Sequence, residues 1–226
     1  MPELPEVETT VAGLRSVLQG SVLTRVEPRR ADLRFPIPVD LRQRMTGARV
    51  TGLSRRAKYG LIETDRGDMM IFHLGMSGRW RIDPAEIGPH DHLLVETDQG
   101  RILSLNDPRR FGSLDLVRAD AWTGYAPFMR MGPEPLGPDF TAATLAAALA
   151  GKATSIKAAL LDQRIVANAS SSQLRANGVG DLAGQRLRHL LNGGLLGCVR
   201  RLRRPIGGGF QRFEQLGIHH LKLRSG

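Results

Sequence analysis

The 226-residue chain predicts an α+β fold. An N-terminal antiparallel β-sandwich with a leading helix is followed by a helical region. Three observations carry this. Apolar side chains recur at helical spacing over residues 5–19. Short apolar runs broken by Gly-bearing turns fill residues 21–118. Helical runs resume after a Pro/Gly-rich connector at Gly132–Pro138.

In chain order, Val7, Val11, Leu14 and Leu18 share one helical face, and Gly20 supplies a stop. Glu3, Glu6 and Glu8 sit at the start, where the helix dipole favours anions. Leu61–Thr64 and Met69–Phe72 flank the turn Asp65-Arg66-Gly67-Asp68. Leu93–Glu96 and Ile102–Leu105 flank Thr97-Asp98-Gln99-Gly100. Both are hairpin signatures, and several in series predict a sandwich. The turn-rich connector predicts a division of the chain into residues 1–131, a sandwich domain, and 132–226, a helical domain. In the second part, Thr141–Leu149, Ser155–Gln163 and Leu182–Leu191 read as helices. Beyond about residue 168 the pattern is degenerate, and from 192 onward poor order is expected.

Hydrophobic residues make up 41% of the chain and charged residues 24%. That excludes wholesale disorder. No run approaches the roughly 18 apolar residues of a membrane span. An acidic N-terminus argues against a secretory signal, so a cytoplasmic protein is expected. A single cysteine, Cys198, excludes an internal disulfide and a four-cysteine zinc site. Net charge is +10, and it is uneven: residues 168–226 hold ten of the 32 basic residues but two of the 22 acidic ones. A basic excess fits a polyanionic partner, or simply a solvated basic surface.

Met1-Pro2-Glu3 carries the sharpest chemical hint. Loss of Met1 would leave Pro2 as a free secondary amine. An α-amino group has a pKa near 7.7–8.0, so part of it is unprotonated at neutral pH. Such an amine can attack a sugar C1′ and form an iminium, an electron sink. Glu3 beside it could move the proton. An isolated Met-Pro would ordinarily only shape backbone.

The run Met1–Thr9 (MPELPEVET) resembles the N-terminus of bacterial formamidopyrimidine-DNA glycosylases. The resemblance continues through Arg55–Tyr59 (RRAKY), His73–Gly78 (HLGMSG), His90-Asp91-His92 and Asn106–Gly112 (NDPRRFG). It extends through Gly132–Leu136 and Ser155–Gln163, covering about residues 1–167. It implies a base-excision repair enzyme, both glycosylase and AP lyase. Such an enzyme removes 8-oxoguanine and formamidopyrimidines from duplex DNA by a Schiff base and β,δ-elimination. Residue by residue, Pro2 is similar to the nucleophile, Glu3 to its acid–base partner and Lys58 to a second proton-transfer group. Lys58 lies beside Arg55 and Arg56, cations that would lower its pKa.

Acting on a base in duplex DNA requires flipping it out and filling the gap. Met76, Arg109 and Phe111 match the family's void-filling residues. Flanking Gly and Arg favour exposed loop tips over core positions. His73, His90, Arg110, Lys152 and Lys157, with Arg109, are candidates for DNA contact. His90 and His92 alternate on a strand and could also pair on a metal, but no third ligand cluster is evident and no metal is expected. The implied partner is double-stranded DNA carrying oxidised bases or abasic sites, bound by a monomer associated with the bacterial nucleoid and not with membrane.

The resemblance breaks near residue 168. The family's Gly-x-Gly-Asn turn reads Asn168-Ala169-Ser170-Ser171 here. Its zinc finger of two Cys-x-x-Cys pairs has only Cys198, His189, His219 and His220 to draw on. Four N or S ligands are needed for structural zinc, so no cofactor is expected. Two other readings stay open: an impaired family remnant, and a non-enzymatic protein binding DNA through its basic tail.

Overall fold

The computed structural model describes residues 4–135, 137–152 and 156–167. Pro2, Glu3 and every expectation beyond Ala167, including the helix at Leu182–Leu191, lie outside the described residues.

The chain opens with α1 (Leu4–Leu18). Strand β1 (Leu23–Pro28) and the short helix α2 (Leu41–Met45) follow. Then come β2 (Val50–Arg56), β3 (Tyr59–Thr64), β4 (Asp68–His73), β5 (Arg79–Ile82), β6 (Asp91–Thr97), β7 (Ile102–Asn106) and β8 (Ser113–Arg118). Helices α3 (Ala126–Met129), α4 (Ala142–Leu149) and α5 (Ile156–Leu161) complete the described part. The strands form two four-stranded antiparallel sheets, ordered β1-β6-β7-β5 and β2-β3-β4-β8. The expected α+β sandwich is therefore present.

The main core lies between the sheets and under α1. Val7, Val11, Leu14 and Leu18 of the helix meet Val26, Leu93, Val95, Leu103 and Leu105 of one sheet. Leu53, Ile62, Met70, Phe72 and Leu114 come from the other. Each such buried side chain contributes about 1.5–3 kcal/mol. Strand β4 reads as an unbroken apolar run because both of its faces are covered. Met70 and Phe72 face the sandwich core, while Met69 and Ile71 pack with Leu61 and Phe128 beneath the 122–131 segment.

A separate small core joins Phe140, Leu145, Leu149, Ala159, Leu160, Ile165 and Val166. Thr141 caps α4: its Oγ1 accepts from the Thr144 amide at 3.1 Å, and its own amide donates to Thr144 Oγ1 at 2.9 Å. Helix α5 stops at Leu161, short of the expected Gln163. The Asp162 side chain turns back to accept the Arg164 amide at 3.0 Å, a local bond that competes with the helix.

Candidate nucleic-acid interface

Strand register fixes which loops share an end of the sandwich. In one sheet, Arg56 pairs with Tyr59, Tyr59 with His73, and His73 with Ser113. In the other, Arg79 and Asp91 both pair with Asn106. The β2–β3 turn, the 74–78 loop and the 107–112 loop therefore emerge together. Helix α1 runs along β2 with its first residue at this same end. Arg15 Nη2 donates to Leu53 O at 2.9 Å, and nearer the helix start Arg55 Nε donates to Glu8 Oε2 at 2.9 Å.

Lys58 is half-buried in the two-residue β2–β3 turn, after Ala57 at φ +50°. A left-handed conformation costs an alanine roughly 1–2 kcal/mol. The turn is held from outside by Glu134, on the connector. Glu134 Oε1 accepts from the Ala57 amide at 2.5 Å and Arg56 Nη1 at 3.2 Å, and Oε2 accepts from Arg55 Nη1 at 3.1 Å. Arg56 Nη2 donates to Gly132 O at 2.7 Å. The connector is itself tied to the small helical core: the Gly132 amide donates to Gln163 O at 2.8 Å, and the Ala167 amide to Pro133 O at 3.0 Å. The two arginine charges expected to bear on Lys58 are thus paired with Glu134 and Glu8.

His73 lies across the strand from Tyr59, ring centroids 4.8 Å apart. Burial, then the Lys58 and Arg34 charges, lower its pKa to about 4. The imidazole is neutral at physiological pH. Its Nδ1 accepts from the Gly75 amide at 3.0 Å, which leaves Nε2–H as the donor. Any phosphate contact by His73 is therefore a neutral hydrogen bond.

Met76 and Phe111 are exposed at 46% and 43%, on two loops that touch through their backbones. A Cβ on Gly75 would lie 2.3 Å from the Phe111 carbonyl carbon, and Gly75 has φ +63°. Both features exclude a side chain there. Arg109 stacks its guanidinium 4.8 Å from the centre of the Phe111 ring. Beneath these tips Asp107 is fully buried. Its Oδ1 accepts from Ser77 Oγ at 2.6 Å and its Oδ2 from the Gly112 amide at 2.8 Å. Its carbonyl accepts from the Arg110 amide at 3.2 Å and lies 2.9 Å from His92 Nε2.

His90 is exposed at the start of β6, whereas His92 is buried. Between them the Asp91 carboxylate is buried and accepts from Ser104, Asn106, Arg81 and the Gly88 amide. Burial pushes its pKa up, but these donors together outweigh it and hold the group below its ordinary range. Among the described residues no group of three or more potential ligands could hold a metal. Arg110, at φ +56°, is exposed 3.8 Å from Asp32. Lys152 is exposed, just beyond the end of α4. Lys157 falls on α5, but its side chain lies outside the described ones.

Sequence reasoning gave no role to Arg34, Phe35, Ser77, Asp107 or Glu134. The Arg34 amide donates to Gly112 O at 3.0 Å, which sets the Arg34-Phe35 pair beside the 107–112 loop. Phe35 is 58% exposed. A basic–aromatic pair next to a proline was the available signal for that loop. For the two carboxylates, the signal was an acid embedded in an otherwise Arg-rich or Pro/Gly-rich motif.

The molecule is thus an antiparallel sandwich that collects cations and exposed apolar tips at one loop end. A profile described as "Formamidopyrimidine-DNA glycosylase N-terminal domain" matches residues 1–114. The chain belongs to the formamidopyrimidine-DNA glycosylase family. The protein of that name from Rhizorhabdus wittichii is 74% identical over 167 residues, covering 74% of this chain and 62% of its own length. The Novosphingobium aromaticivorans protein is 64% identical over the same length, with the same coverage. The chain thus spans 62% of the length of these relatives. Among solved structures, Lactococcus lactis Fpg with DNA containing N7-benzyl-Fapy-dG gives a TM-score of 0.70 at 26% identity. That match covers 89% of this chain and 79% of the other. The same protein with DNA containing an abasic site matches equally well.

Proposed function

We propose that this chain removes oxidised purines, 8-oxoguanine and formamidopyrimidines, from duplex DNA and then cleaves the strand. The observation that carries the reading is the convergence at one end of Lys58, the start of α1 and two loops bearing Met76, Arg109 and Phe111. The Lactococcus lactis complexes with Fapy-dG-containing and abasic-site DNA support the same substrate class.

In this reading the Pro2 nitrogen attacks C1′, and the glycosidic bond breaks with its electron pair leaving on the base. The nitrogen loses its proton, and its lone pair then forms the C1′=N⁺ iminium as the C1′–O4′ bond breaks and O4′ takes up a proton. Glu3 moves protons between the amine and the sugar oxygen. Removal of a C2′ proton expels the 3′ phosphate, and a second elimination expels the 5′ phosphate. Lys58 takes part in those proton transfers. Met76, Arg109 and Phe111 fill the space the flipped base leaves. His90, Arg110, Lys152, Lys157 and the neutral His73 contact the DNA backbone. The protein acts as a monomer.

The family's zinc does not fit this chain. Two Cys-x-x-Cys pairs need four thiolates, and the sequence has one cysteine. No step is assigned to zinc, and the proposed chemistry needs none.

Borohydride trapping on 8-oxoguanine duplex, with an abasic-site duplex beside it, tests the reading. Reduction of the iminium fixes a protein–DNA adduct, and Pro2→Gly should abolish most of it. Adduct on the abasic site alone would mean that lyase chemistry persists without base recognition. No adduct on either, or equal trapping by Pro2→Gly, would overturn the proposal in favour of a remnant without this activity.

A further inference from the structure

We propose that Asp107 is a positioning residue that locks the Met76 loop and the Arg109–Phe111 loop into a single wedge. The inference rests on the functional reading above for its consequence on DNA, but the clamp is a property of the free protein.

Two loops far apart in sequence carry the three side chains assigned to the void. Independent loops would have to be ordered separately each time a base is flipped, and each ordering step costs conformational entropy. Here one carboxylate ties them together. Asp107 is 0% exposed. Its two oxygens divide between the loops, Oδ1 to Ser77 Oγ at 2.6 Å and Oδ2 to the Gly112 amide at 2.8 Å. Ser77 closes the link by accepting from the Arg109 amide at 3.3 Å. Gly75 lets the loops approach to backbone contact with Phe111. Met76 thus sits between two residues fastened to the opposite loop. Arg109 and Phe111 lie between Asp107 and Gly112, both ends of the clamp on their own loop. The buried carboxylate makes the bonds charge-assisted, and such bonds are stronger than neutral ones.

Ser77→Ala removes both side-chain bonds between the loops, to Asp107 and from the Arg109 amide, and leaves the partners of the Asp107–Gly112 bond and the core unchanged. The first readout is amide hydrogen exchange of the full chain without DNA. Gly112 makes no bond to Ser77 and its amide is held by Asp107 Oδ2, so faster exchange there reports loosening of the clamp carried across to the 107–112 loop. We expect roughly a tenfold increase at Gly112 in Ser77→Ala, and recovery in Ser77→Thr, which restores the hydroxyl. Unchanged exchange at Gly112 would overturn the clamp.

The second readout is single-turnover excision of 8-oxoguanine beside cleavage of a preformed abasic site. Excision should fall about tenfold in Ser77→Ala, more than abasic-site cleavage, and Ser77→Thr should restore it. A parent chain that excises nothing would defeat the functional reading alone, because the exchange experiment judges the clamp without substrate. A parent that excises normally, with a Ser77→Ala variant that exchanges faster but excises at the parent rate, would overturn the positioning role.

Discussion

Glu134→Gln tests whether the connector holds the Lys58 turn. Glu134, Arg55 and Arg56 have side chains exposed by 19%, 12% and 19%, so solvent screens their pairing little. Gln keeps one carbonyl oxygen, which can still accept from the Ala57 amide and Arg56. Its NH2 then faces Arg55 Nη1, now 3.1 Å from an acceptor. One charge-assisted bond is lost and a donor–donor contact replaces it. The arginines are not stranded: Arg55 keeps Glu8 and Ala57 O, and Arg56 keeps Gly132 O. The loss should therefore stay near that of a single hydrogen bond to a charged group, about 1.5–3 kcal/mol. Glu134→Ala, which also orphans the Ala57 amide, should cost about 3–5 kcal/mol.

Chemical denaturation measures both losses. A loss near 2 kcal/mol corresponds to roughly 4–8 °C in Tm for a chain of this size. Abasic-site cleavage should fall as well, because Ala57 at φ +50° has no intrinsic reason to hold the turn that presents Lys58. A Glu134→Gln variant within about 0.5 kcal/mol of the parent, the range of an ordinary surface change, and with unaltered cleavage would refute the reasoning.

Two further outcomes follow from the same end of the molecule. His73 has a folded pKa of about 4 against an ordinary value of 6.5, so between those pH values the unfolded chain binds a proton that the folded chain does not. Stability should fall from pH 6.5 to 4 by about 3 kcal/mol more in the parent than in His73→Asn, measured by denaturation across pH; parallel curves would refute it. Gly75→Ala puts a Cβ 2.3 Å from the Phe111 carbonyl carbon at φ +63° and should cost about 2–4 kcal/mol with a larger loss in excision than in folding; a variant of parental Tm would refute the close contact of the loops.

The fold was legible where side chains repeat. Val7, Val11, Leu14 and Leu18 marked one buried face, and the hairpins at Gly67 and Gly100 appeared as apolar runs around positive-φ glycines. Helix α2 and the segment at 122–131 were missed because neither is long enough to show a period. The 122–131 segment is instead held by aromatic contacts, with Phe128 packed edge-on against Tyr59, Trp122 and Tyr125. Met76 and Phe111 read as exposed tips from their Gly and Arg neighbours, and their exposure fits. His73 read as a candidate for phosphate contact, with nothing in the sequence to fix its charge; its burial beside Lys58 and Arg34 makes the ring neutral.

What the sequence could not show is which carboxylates serve the site from behind its exposed face. Asp107 and Glu134 each stand inside a motif of basic or turn residues, where an acid looks like a local charge balance. The structure makes them something else. Each is at least four-fifths buried; Asp107 divides its two oxygens between two loops, and Glu134 brings both of its oxygens from the connector to the consecutive donors Arg55, Arg56 and Ala57. Burying a carboxylate is costly unless its oxygens are satisfied. The Lys58 turn and the two apolar loops therefore hold their shape only while these particular donors stay in place. The cations and apolar tips at the loop end face outward and are cheap to display; the buried acids behind them set where those side chains point.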